Sequence, residues 1–80
     1  MSLFEGLSDE EGIKRAARRI KRLGDHDLIA WLEVAIPGMQ RQLETYQRTG
    51  DKAYLAELGI AEMTASMVVS ELIERAKEEE

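Results

Sequence analysis

The run DKAYLAELGIAEMTASMVVSELIERAK, residues 51–77, decides what kind of protein this is. Tyr54, Leu58, Ala61, Ala65, Val68, Leu72 and Ala76 recur along it at helical spacing, which marks one apolar stripe on a long helix. A second stripe, Ala56, Ile60, Met63 and Met67, lies on the other side of the same rod. Between Leu58 and Val69 the strongly polar side chain is Glu62. A helix that is apolar nearly all round is expected to be buried nearly all round. Glu62 sits beside Leu58, Ala65 and Val69, so it is expected to be buried too, with an arginine as its partner.

Working toward the N-terminus, Gly50-Asp51 reads as a stop followed at once by a start: a glycine after one helix, an aspartate capping the next. Leu28, Leu32, Ala35, Met39, Leu43 and Tyr46 mark the preceding helix. Gly24-Asp25 stands before it in the same way, so the same turn chemistry is expected twice. Pro37-Gly38 interrupts the second run, yet its apolar residues stay within about 80° of one another on a wheel of 3.6 residues per turn. One helix kinked at Pro37 fits that phase better than two helices.

The first helix carries Ile13, Ala16, Ala17, Ile20 and Leu23 behind Ser8-Asp9-Glu10-Glu11, a capping box. Short connections favour antiparallel neighbours, so the expected fold is all-α: a three-helix up-down-up bundle with a kinked second helix and a long third. Residues 1–7, with Leu3, Phe4 and Leu7, are expected to pack on the bundle as an extension. Residues 8–77 form a single helical domain and 78–80 an acidic tail.

Eighty residues bury only about 60% of the surface of the unfolded chain, so a lone core of this size is marginal. Cysteine is absent and the one histidine is His26, which removes disulfides, thiolate metal sites and any mechanism needing two imidazoles. Oligomerisation is the remaining common device. Helix one cannot cover both stripes of helix three, and Trp31 points away from the main stripe of helix two. Trp31, Ile60, Met63 and Met67 are therefore the expected interface, with a homodimer as the first choice.

Lys14, Arg15, Arg18, Arg19, Lys21 and Arg22 occupy an arc of about 160° opposite the apolar side of helix one. Glu71, Glu74, Glu78, Glu79 and Glu80 at the far end of helix three are expected to neutralise part of it. An acidic protein surface or nucleic-acid phosphates are the alternative contacts. No aromatic or amide side chain is interleaved for base readout, and the net charge of −5 disfavours nucleic acid as a general partner.

Asp25-His26-Asp27 holds ligand types, but adjacent helical residues diverge by about 100° and cannot converge on one ion. No HExxH, phosphate loop or nucleophile elbow occurs. The expectation is thus a non-enzymatic interaction or assembly module without a cofactor. A regulatory nucleic-acid binder is the alternative, and a small helical enzyme lacking an identifiable site a third. No apolar run reaches the roughly 20 residues of a membrane span. No signal peptide is visible, which makes the cytoplasm the expected compartment.

Overall fold

A computed structural model describes residues 10–79 of the chain. Three α-helices account for nearly all of them: α1 (Glu10–Arg22), α2 (Asp25–Thr49) and α3 (Lys52–Glu78). No strand occurs among the described residues. Ser8 of the expected capping box, and Leu3, Phe4 and Leu7, lie outside the described residues. So does Glu80, while Glu78 of the expected tail still belongs to α3.

The two turns differ in chemistry, contrary to the sequence expectation. Gly50 adopts φ 71°, the left-handed conformation that ends a helix and that glycine takes without a side-chain clash. Its N–H donates to Tyr46 O at 2.7 Å, and the Asp51 carboxylate then accepts from Ala53 N at 3.0 Å to cap α3. At the other junction Gly24 has φ −73° and ψ 163° and is itself the N-cap of α2, with no side-chain cap bond. Asp25 is the first helical residue and does not cap. Its carboxylate is drawn instead to Arg75, 50 residues away.

α2 runs through Pro37 as one continuous helix. It packs most extensively on α3, and α1 rests mainly on α3. Gln42 donates to Glu57 near the Gly50 turn, and Arg75 donates to Asp25 at the far end, so α2 and α3 lie side by side along most of their length. The core is small. Ile20 from α1, Leu28 from α2 and Val68 from α3 form its buried centre, with Leu23, Trp31, Leu32, Met67 and Leu72 packed around them.

Ala16, Ala61 and Ala65 are also buried, where small side chains let the helices approach closely. Thr64 is fully buried and returns its hydroxyl to Ile60 O of its own helix at 3.2 Å, which satisfies a polar group that would otherwise be costly in the core. Three expectations fail at this level. Leu43 and Ala76, placed on core stripes by their phase, are exposed, and so is Glu62. Glu62 looks away from the α2 contact, so no buried partner is required.

Candidate interaction surfaces

Arg75, on the last turns of α3, makes four side-chain hydrogen bonds. Nε donates to Glu71 Oε2 at 2.9 Å and Nη1 to Asp25 Oδ1 at 2.7 Å. Nη2 donates to the carbonyls of Ile20 and Lys21, each at 3.3 Å. The last four carbonyls of any α-helix lack intrahelical donors and carry the negative end of its dipole. Arg75 therefore caps α1 from another helix and ties that cap to the start of α2. Its hydrogen bond holds the Glu71 carboxyl below its ordinary value of 4.5, helped by the charge of Lys21, whose Nζ stands 3.5 Å from Glu71. The Asp25 and Glu71 carboxylates in turn raise the guanidinium pKa.

The basic arc of α1 is only partly neutralised. Lys21 reaches Glu71, as the expected pairing of α1 with α3 requires. Lys14 pairs weakly with Glu10 one turn back, at 3.9 Å, and Arg19 makes contacts of its own. Among the described residues Arg15, Arg18 and Arg22 have no carboxylate at ion-pair distance, and all three are exposed. Glu74, expected opposite the arc, pairs with Lys77 of α3 at 3.7 Å. His26 is exposed, with Nδ1 3.9 Å from Asp27, while Asp25 is engaged by Arg75.

The four residues expected to form an interface are not equivalent in the fold. Trp31 and Met67 are half-buried against the Ile20–Leu28–Val68 core. Ile60 and Met63 are exposed, at 36% and 39%. Ile60 also lines a groove of about 400 Å³ between α2 and α3, whose walls include Val34, Gly38, Met39, Gln42 and Glu57. Gln42 Nε2 donates to Glu57 at 3.2 Å there, while its Oε1 is buried with no hydrogen-bond partner among the described residues.

The larger apolar exposure lies elsewhere. Ile29, Ile36 and Leu43 on α2, with Leu55, Val69 and Ile73 on α3, are each 42% to 50% exposed. At 100° per residue they fall on the α2–α3 flank turned away from α1. α1 meets α3 instead around Met67, Ser70, Glu71 and Glu74. Sequence reasoning misses this flank, because Leu43 has the phase of the core stripe and the second stripe of α3 alone looks surplus. Spacing by sevens on both helices is the signal that could have found it.

Among the described residues, no helix is long and apolar enough to cross a membrane. Comparison of the chain with protein-family models, with curated proteins and with solved structures gives no match.

Proposed function

We propose that the protein is a small non-enzymatic interaction and assembly module that associates with itself, as a dimer in the first instance, through apolar surfaces of α2 and α3. One observation carries this reading. Every large apolar side chain left exposed among the described residues, from Ile60 at 36% to Val34 at 73%, belongs to α2 or α3. The reading takes the chain as an up-down-up bundle with α2 bent at Pro37. Short turns at Gly24 and Gly50 support that path, and so does an apolar phase kept through the proline.

Solution mass against concentration tests it. The expected result is a species of twice the 9.1 kDa chain mass that dissociates on dilution. A single chain mass at every concentration would overturn the reading.

The unpaired cations Arg15, Arg18 and Arg22 favour a second reading, in which the α1 arc contacts nucleic-acid phosphates or an acidic protein. Such binding is read from retention on duplex DNA or heparin near physiological salt. Arg18→Glu with Arg22→Glu should abolish it and leave helicity intact, because both side chains stand in water. Absence of retention by the parent protein would exclude the phosphate form of this reading.

A further inference from the structure

We infer that the flank of the α2–α3 pair turned away from α1 is the surface on which a second copy of this chain docks, so that two hairpins complete one four-helix core. The inference rests on the self-association proposed above and says where it takes place.

Residues 29, 32, 36, 39, 43 and 46 advance in alternating steps of three and four, and so do 55, 58, 62, 65, 69, 72 and 76. That is heptad spacing, the pattern by which helices bury a seam against a partner helix. The two halves of each heptad differ in burial. Leu32, Met39 and Tyr46 on α2 are half-buried, and on α3 Leu58 and Leu72 are half-buried and Ala65 is buried. At the alternate positions Ile29, Ile36, Leu43, Leu55, Glu62, Val69 and Ala76 are exposed without exception. One chain satisfies one position of every heptad and leaves the other open.

A second copy fits this face better than other occupants do. Ile29, Ile36, Leu43, Leu55 and Val69, with the neighbouring Ile73, are each 42% to 50% exposed. At on the order of 80 Å² apiece they leave about 500 Å² per chain in water, an apolar patch large enough to mark an interaction site. Two copies face to face would remove about 1,000 Å² from these residues alone, the minimum for a credible interface, and flanking contacts carry it toward the roughly 1,200–2,000 Å² of specific ones.

The face is also self-complementary, as a two-fold interface requires, and stacked hairpins are an ordinary four-helix arrangement. With α2 of one copy over α3 of the other, the α2 edge bearing Glu33 and Glu44 would face the α3 edge that begins at Lys52. A lipid surface is a poorer match, because interfacial helices flank their apolar face with lysine and arginine, and α2 offers Glu33, Gln40, Glu44 and Gln47 there. Glu62, at the middle position of the α3 seam, interrupts the apolar run, and its carboxylate must keep to the wet edge of the seam or meet a cation of the second copy.

The test uses the full chain and sedimentation across a wide concentration range. Ile36→Glu with Val69→Glu should leave helicity unchanged and reduce the mass to that of one chain, whereas Met63→Glu, on the α1 side, should keep the mass of two. If the parent is a dimer and the Ile36/Val69 variant remains one, the docking face is wrong while self-association stands. If the parent is a single chain throughout, both fail.

Should the double variant lose helicity, thiol protection decides. The chain has no cysteine, so Ile36→Cys and Met63→Cys each present a unique thiol to a maleimide. The Ile36→Cys thiol should react several-fold more slowly in concentrated than in dilute protein, and the Met63→Cys thiol equally fast in both. Equal behaviour of the two thiols would overturn the proposed face.

Discussion

Arg75 joins three parts of the chain with one guanidinium: the carbonyls that end α1, the carboxylate that begins α2, and Glu71 on its own helix. Glu71 has a lowered pKa in the folded chain, chiefly through its hydrogen bond from Arg75. Its contribution to stability is therefore complete above the unfolded value of about 4.5 and is lost as pH falls through the lower folded value. Arg75, whose pKa is raised by its hydrogen bonds to Asp25 and Glu71, stays charged throughout and contributes no pH dependence in this range. Urea melts across the acid range should show Glu71→Gln less stable than the parent at neutral pH and with a shallower acid limb. Equal slopes would mean that the Glu71–Arg75 pair is not formed in solution.

The two interhelical turns show how similar residues serve different ends in different elements. Gly50 holds a positive φ, so Gly50→Ala should destabilise the chain by about 1 kcal/mol, the cost of placing a Cβ in the left-handed region. Gly24 has an ordinary φ, and no atom lies within 4 Å of the point where a Cβ would stand. Gly24→Ala should therefore stay within about 0.5 kcal/mol of the parent, a small loss in capping offset by a less flexible unfolded chain. Denaturant midpoints at equal protein concentration check both. Local residue pairs alone make the turns look identical; their difference arises because Asp25, free to cap, has a stronger partner in Arg75. The helices themselves need no such context. Apolar spacing locates all three, and α2 keeps its phase through Pro37.

At the scale of the whole molecule, α3 sets the long dimension. Its 27 residues span about 40 Å at 1.5 Å per residue, and the molecule measures 45 × 25 × 20 Å. Two helix diameters fill the shortest dimension, so one side of the α2–α3 pair is covered by α1 and the other is left to solvent. If a second copy covers it, folding and association share the same apolar surface. The melting temperature should then rise with protein concentration, and that dependence should disappear in the Ile36/Val69 variant while persisting in Met63→Glu.

Sequence alone determined the helical class, the number of helices, the glycine stop at Gly50 and the opposition of basic and apolar sides on α1, because each depends on near neighbours or on a 3.6-residue period. It also exposed the surplus of apolar surface on α2 and α3. Which apolar side chains of α3 stay open was decided by the docking of α1 on α3, which takes up Met67 and leaves Ile60, Met63, Val69 and Ile73 in water. The exposure of Glu62 and the cap that Arg75 places on α1 were likewise tertiary outcomes. Periodicity finds the apolar residues of a helix, but only the packing of its neighbours decides which of them are covered.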